Sequence, residues 1–290
     1  MSTSLKADAA ASGTFTIGGD LKVNRLGFGA MRITGDGVWG DPKSPKEARA
    51  VLARTVELGI DFIDTADAYG PETSELLIAE VLAPYKKGLV IATKGGLTRP
   101  GRGVWEPVGR APYLQQCVEL SLRRLKSERI DLWQLHRIDP RTPLEESLGA
   151  LKKLQAQGKV RHVGLSEVSV AEIKEARKII DVVSVQNLYN LGDRKHEDVV
   201  DYCEQEKLAF IPWFPMAAGD LARPGGVLDQ RAKQHGATVS QLALAWLLHR
   251  SPVILPIPGT TSVIHLEENT AAASLQLSEA EWKEIEQAAK

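Results

Sequence analysis

Four side chains that can hold or pass a proton stand at the ends of short apolar runs. Asp64 closes Asp61-Phe62-Ile63-Asp64 and Tyr69 follows shortly after; Lys94 follows the run 89–93, and His136 follows 132–135. A carboxylate, a phenol, an ammonium and an imidazole are the groups from which general acid–base chemistry is built. A polar group at the end of an apolar run is costly unless it meets a partner, so four of them together point to one shared rim. Each also has a plainer reading alone: Asp64 as a loop cap, Tyr69 as a covering aromatic, Lys94 as a solvated end, His136 as a satisfied core histidine. Ser166, Glu167, Gln186, Asn187, Trp213 and Phe214 occupy the same kind of place after later runs.

The elements that must position these groups follow a regular alternation. Apolar, β-branched runs at 26–29, 61–64, 89–93, 130–136, 160–166, 182–187, 209–214 and 253–257 predict strands. Helical periodicity follows each, over 45–58, 72–82, 112–125, 143–157, 170–180, 195–206, 228–235 with 240–249, and 266–273. Gly158 reads as a helix stop. Ser278, with Glu281 three positions on, reads as the capping box of a final helix. Phe15 and Ile17, a Gly18-Gly19-Asp20 turn, then Leu21 and Val23 predict a β-hairpin ahead of the first strand. Eight strand–helix pairs in this length predict an α/β fold, a (β/α)8 TIM barrel with an N-terminal β-hairpin, in which functional groups project from the C-terminal strand ends. An open dinucleotide-binding sheet is disfavoured, because Gly27-Phe28-Gly29-Ala30 lacks the third glycine of its phosphate turn. The expected organisation is a disordered tail over 1–13 and one barrel domain over 14–290.

Composition narrows the function classes. The chain has 290 residues, 43% apolar and 25% charged, with a formal net charge of −1. These are the proportions of a globular protein with a full core, and the scattered Lys and Arg give no footprint for nucleic acid or an anionic membrane. No apolar run reaches the ~20 residues of a membrane span, and the start of the chain lacks the apolar centre of a secretory signal. Cys117 and Cys203 fall in helical stretches without pairing or metal-ligand spacing, so reduced thiols and a cytoplasmic setting are expected.

The segments Asp61-Phe62-Ile63-Asp64-Thr65-Ala66-Asp67-Ala68-Tyr69-Gly70, Ala92-Thr93-Lys94 and Gln134-Leu135-His136 strongly resemble the aldo-keto reductase superfamily, and the likeness runs from the hairpin to the helix over 266–273. Leu135-His136-Arg137-Ile138-Asp139-Pro140 and Ile257-Pro258-Gly259-Thr260-Thr261 are most similar to bacterial members, including the pyridoxal reductase branch. The resemblance implies NADPH-dependent reduction of aldehydes or ketones by a catalytic tetrad of Asp64, Tyr69, Lys94 and His136. Tyr69 would be the proton donor, Lys94 would lower its pKa, Asp64 would hold Lys94 charged, and His136 would orient the carbonyl. That division of labour agrees with elementary chemistry: an isolated phenol has a pKa of ~10, and a neighbouring ammonium stabilises its anion.

The cofactor residues implied by the same resemblance are Ser166, Glu167 and Gln186 at the carboxamide, with Trp213 stacked on the nicotinamide. Phe214, Pro215 and Met216 continue that wall. Gly259, Thr260, Thr261 and His265 would meet the adenosine phosphate, and Glu268 and Asn269 the adenine. Glu167 stands where Asn is common, Trp213 where Tyr is common, and Gly259 and His265 where Lys and Arg are common. NADPH is therefore expected, with NADH left open. Met31, Arg32, Trp39 and Trp105, with Phe214, are expected around a small-molecule carbonyl substrate; neither nucleic acid nor membrane is expected as a partner, and the sequence fixes no oligomeric state. Two other readings stand beside this one. The chain could be a non-catalytic NADP(H)-binding, redox-sensing subunit. Alternatively, it could be an unrelated barrel isomerase acting on phosphates, which would need a Gly-rich loop nearer a strand end than Pro224-Gly225-Gly226.

Overall fold

The computed structural model describes residues 5–217 and 223–288. Seven parallel strands form one curled sheet in the order β11-β10-β9-β8-β5-β4-β3. They are β3 (Phe28–Gly29), β4 (Phe62–Asp64), β5 (Val90–Gly95), β8 (Ile130–Leu135), β9 (Val160–Ser166), β10 (Val182–Gln186) and β11 (Ala209–Phe210). Helices α1 (Pro45–Glu57), α2 (Thr73–Leu82), α3 (Ala111–Arg124), α4 (Leu144–Ala156), α5 (Val170–Arg177) and α6 (Glu197–Glu206) alternate with the strands. The arrangement fits an α/β barrel. The expected seventh strand shrinks to two residues, and the expected strand over 253–257 is not a regular one. Pro252, Pro256 and Pro258 remove backbone donors there. The segment nevertheless bonds both sheet edges. Phe210 N donates to Val253 O at 2.9 Å, and Gly27 N donates to Pro256 O at 2.9 Å.

Strand alternation explains why the polar groups share one space. Phe62, Val90, Ala92 and Leu132 belong to the apolar cluster enclosed by the sheet, with Leu255 and Ile257. Residues two further along a strand face the same way, which carries Asp64, Lys94, Gln134 and His136 to the same interior above that cluster. The intervening residues face outward: Ile63 and Ile91 join the packing with α1 and α2, and Trp133, Leu135 and Val163 join the cluster shared with α3 and α4. A one-residue slip would exchange these sets.

The other end of the enclosed core is covered by β1 (Thr14–Ile17) and β2 (Leu21–Asn24), which pair antiparallel and contribute Ile17, Leu21 and Val23 to the enclosed cluster. The segment just before them corrects the expectation of a disordered tail. Asp8 caps a single 3-10 turn, Ala9–Ser12. Ala9 is fully buried, its N–H donates to Leu58 O at 2.9 Å, and Ser12 Oγ accepts from Leu26 N at 3.0 Å. Small residues that read as tail composition are what this close packing against α1 admits. Residues 1–4 lie outside the described residues.

After β11 come α7 (Val227–Gln234), α8 (Val239–Arg250), α9 (Val263–Ala271) and α10 (Glu279–Ala288); Gly219, in the intervening loop, lies outside the described residues. Ser278 Oγ accepts from Glu281 N, and Ser278 N donates to Glu281 Oε2 at 2.8 Å, the reciprocal bonds of a capping box. A second ribbon, β6 (Leu97–Thr98) with β7 (Glu106–Pro107), pairs antiparallel beside the sheet mouth; its two-residue strands are too short for alternation to announce. Cys117 and Cys203 are buried and unpaired. Among the described residues no helix is long and apolar enough to cross a membrane.

Candidate active site

Lys94 is the centre of the polar group at the sheet mouth. Its Nζ donates to Asp64 Oδ1 at 2.6 Å, to Thr65 O at 2.8 Å and to Tyr69 OH at 3.3 Å. Asp64 Oδ2 accepts from Gln134 Nε2 at 3.0 Å and Gln186 Nε2 at 2.9 Å, so both carboxylate oxygens are satisfied. Lys94 is fully buried, Asp64 is 2% exposed, His136 6% and Tyr69 7%. At such burial an unpaired ammonium would cost several kcal/mol. Burial works against the Lys94 charge, but Asp64 and then Tyr69 outweigh it and raise its pKa. The ammonium is therefore locked on.

For the tyrosine, the expected pull of Lys94 is present but burial outweighs it. Burial raises the Tyr69 pKa, Lys94 opposes that, and Asp64 adds to it, so the net direction is upward. Lys94 pulls the phenol's pKa down through its charge and its hydrogen bond, but not far enough to offset burial. The resting phenol therefore keeps its proton, and the ammonium beside it stabilises the phenolate that proton donation leaves. His136 is held neutral: burial, then Lys94, Arg137 and Arg99, lower its pKa well below the ordinary value. Its ring stands edge-on to Tyr69, centroids 5.8 Å apart, and Trp105 completes the cluster at 6.4 Å from Tyr69 and 6.3 Å from His136.

A cavity of about 1460 Å³ opens from this cluster, walled by Asp64, Tyr69, Trp105 and His136 at one end and Gly259, Thr260 and Thr261 further along. Ser166, Gln186, Trp213, Phe214, Pro215 and Met216 line it, as do Met31 and Arg32. Arg32 stands beside the Gly259 backbone, since a Cβ there would come 3.3 Å from its Cγ. Trp39 is not among the cavity walls; it packs with Arg99, whose guanidinium carbon lies 5.3 Å from the Trp39 ring and 3.5 Å from the Trp105 ring. His265, Glu268 and Asn269 lie on α9 beyond the cavity wall, His265 and Glu268 exposed and Asn269 buried.

Glu167 is also absent from the wall. It adopts a left-handed backbone, φ 56°, and its Oε1 accepts from Leu188 N and Trp213 Nε1, both at 2.6 Å. The two departures from common residues, acid for amide and indole for phenol, are thus one bonded pair: the acid fixes the indole beside the cavity. Phe214, next to it, is also left-handed at φ 58° and 55% exposed. Of these two non-glycine residues in a strained region, Phe214 lines the cavity and Glu167 holds the wall residue Trp213, a placement in keeping with backbone strain at functional sites.

Sequence reasoning missed Gln134, Arg137 and Arg99. Gln134 lies two residues before His136, and strand alternation alone would have put it on the same face. Arg137 lines the cavity; its Nη1 donates to His136 O at 2.6 Å and Ser166 Oγ at 3.0 Å. Arg99 donates to Val38 O, Ala68 O and Val104 O, tying three loops, and no local pattern marks it.

Behind the cluster, burial and then repulsion from Glu75 raise the Asp67 carboxyl to about 7, with the Cys117 thiol and Arg124 offering relief. Its Oδ1 is buried without a hydrogen-bond partner among the described residues. Because the folded pKa exceeds the unfolded one, the folded state keeps a proton that the unfolded chain has released. Stability therefore falls as pH rises from about 4 towards 7 and then levels. Asp67→Asn is expected to match the parent near pH 4 and to melt several degrees higher at pH 8, measured by thermal denaturation across pH. A constant difference between the two proteins across that range would contradict the assignment.

A family model described as the aldo/keto reductase family matches residues 25–290. The chain belongs to the aldo/keto reductase family. An oxidoreductase of Schizosaccharomyces pombe, named as uncharacterized, is 54% identical over 98% of this chain and 92% of its own. The pyridoxine 4-dehydrogenase of Escherichia coli is 43% identical over 92% of this chain and 95% of its own. Among solved structures, an aldo-keto reductase of Klebsiella pneumoniae in complex with NADPH superposes with a TM-score of 0.81 at 26% identity, covering 94% of each chain. As an aldo-keto reductase, this chain is an oxidoreductase.

Proposed function

We propose that this aldo-keto reductase uses NADPH to reduce aldehydes or ketones to alcohols, with Tyr69 as the general acid. The observation that carries the reading is the buried relay in which Lys94 Nζ bonds both Asp64 Oδ1 at 2.6 Å and Tyr69 OH at 3.3 Å. A phenol so placed keeps its proton at rest, and the adjacent ammonium favours its loss when a substrate oxygen becomes an alkoxide. Asp64 keeps Lys94 charged and oriented, and its own second oxygen is held by Gln134 and Gln186. The neutral His136 can offer one N–H to the same substrate oxygen. No step requires His136 to change charge.

The residues present fit NADPH. The cavity exceeds the roughly 300–1,000 Å³ common for single small ligands, and Ser166, Gln186 and the Trp213 indole line it together. With its Nε2 given to Asp64, Gln186 keeps Oε1 as an acceptor for a carboxamide N–H. Ser166, Gln186 and Trp213 would hold the nicotinamide end, and Gly259, Thr260 and Thr261, with Arg32 beside them, the phosphate end. His265, Glu268 and Asn269 would be reached only by an adenosine extending past that wall. Bound there, the cofactor supplies the hydride.

Met31, Trp105 and Phe214 form the apolar part of the substrate space, and the name of the Escherichia coli relative puts the pyridoxine–pyridoxal pair first among substrates to test. The fold is read as a full (β/α)8 barrel with an N-terminal hairpin; the bonds from 253–258 to both sheet edges support the eighth stave. The buried free thiols support a cytoplasmic setting. NADPH oxidation, followed by the loss of the reduced cofactor's absorbance over a panel of aldehydes, ketones and pyridoxal and repeated with NADH, tests the reading. Turnover with at least one carbonyl is expected; tight NADPH binding with no turnover on any would favour the redox-sensing alternative.

A further inference from the structure

Arg137 is a charged group in the cavity wall, at the reacting end, that this reading leaves unused. It is half-buried and stands next to His136. Both of its hydrogen bonds, to His136 O and Ser166 Oγ, leave from Nη1. A guanidinium carries five N–H donors in a planar fork, so Nη1 is fully used while Nε and Nη2 retain their hydrogens. Neither of those nitrogens is among the buried atoms lacking partners, and Arg137 lines the cavity. No described carboxylate forms an ion pair with it. Glu167 is the acid that pulls on it electrostatically, and that acid's Oε1 is engaged by Leu188 N and Trp213 Nε1. A partly desolvated cation without a paired acid is costly to keep, and a free planar fork matches an oxyanion better than any other partner.

We propose that the Nε–Nη2 edge of Arg137 binds an anionic oxygen of the substrate, a carboxylate, phenolate or phosphate borne by the same molecule as the reacting carbonyl. Arg137 is then a specificity determinant, and the favoured substrates are oxo compounds that carry a negative charge near the carbonyl. The inference rests on the reading of the site as a carbonyl reductase. An alternative partner for the same edge is the nicotinamide carboxamide, because Ser166 is shared with that end of the cavity.

The test compares kcat/KM for benzaldehyde and its ring-carboxylated isomers with NADPH in the parent protein, Arg137→Gln and Arg137→Lys. NADPH affinity is measured alongside from quenching of tryptophan fluorescence. The best carboxylated isomer is expected to exceed benzaldehyde by about ten- to a hundredfold in the parent, the range of a charge-assisted hydrogen bond. Arg137→Gln should bring that ratio near unity, lowering the anionic substrate far more than the neutral one, and Arg137→Lys should restore part of it. A parent ratio near unity, with benzaldehyde reduced, overturns this inference alone. Equal losses on both substrates with weakened NADPH binding in Arg137→Gln would assign the edge to the cofactor and overturn it too. A parent protein that reduces no carbonyl overturns the reductase reading itself.

Discussion

Tyr69→Phe lowers kcat/KM for carbonyl reduction by about 10²–10⁴-fold, the contribution of a well-placed general acid, and leaves NADPH binding nearly unchanged. The substitution removes one oxygen from a ring that is 7% exposed, so the edge-on contacts with Trp105 and His136 persist. Lys94 loses its longest bond, at 3.3 Å, and keeps those to Asp64 and Thr65. The fold should therefore survive, and the loss should appear in kcat rather than in cofactor affinity. Steady-state rates with fluorescence titration of NADPH make the comparison. Turnover within a few-fold of the parent would mean that the proton comes from elsewhere, with His136 the neighbour to examine next.

Lys94→Met is expected to abolish measurable turnover and also to destabilise the fold by about 3–5 kcal/mol, the cost of leaving one partner of a buried ion pair alone. Methionine matches the stem of lysine but offers neither charge nor donor. Asp64, 2% exposed, would keep only the amide N–H groups of Gln134 and Gln186. Removing the orphaned charge as well, in Asp64→Asn with Lys94→Met, should recover much of the stability and none of the activity. Urea denaturation of the parent, the two single variants and the double variant gives the coupling directly. Near-additive losses in that cycle would show that the pair is not a unit, and the relay with it.

The two experiments probe different links of one chain. The first removes a proton from the reacting end of the relay. The second removes the charge that makes losing that proton favourable. Tyr69 and Lys94 have pKa values displaced by the same burial, which acts on the phenol and the ammonium in opposite directions. Asp64 decides the outcome for Lys94, and no comparable partner offsets burial for Tyr69.

Local pattern carried far in this chain. The apolar runs 61–64, 89–93 and 130–136 name the strands, and their C-terminal ends name Asp64, Lys94 and His136 as groups at one rim, because a run and the polar residue that closes it are local properties. Ser278 with Glu281 announced the start of the last helix because a capping box is complete within four residues. The 253–257 run reads as a regular strand in sequence, but three prolines in and beside it limit it to scattered bonds. Ala9 reads as tail in sequence because its partner, Leu58, lies far along the chain, and composition carries no record of such a contact.

By itself the sequence determined which groups would be available to the site and which strand ends would present them, since spacing and chemical type are local properties. Only the tertiary structure decided how those groups are spent. It gave Glu167 to the Trp213 indole rather than to the cavity, set Trp39 against Arg99, left one edge of Arg137 free, and turned the Tyr69 pKa upward. The physical reason is common to all four. Burial and hydrogen-bond competition depend on which atoms meet across the barrel, and those meetings are set by closure of the whole sheet rather than by any one segment of it.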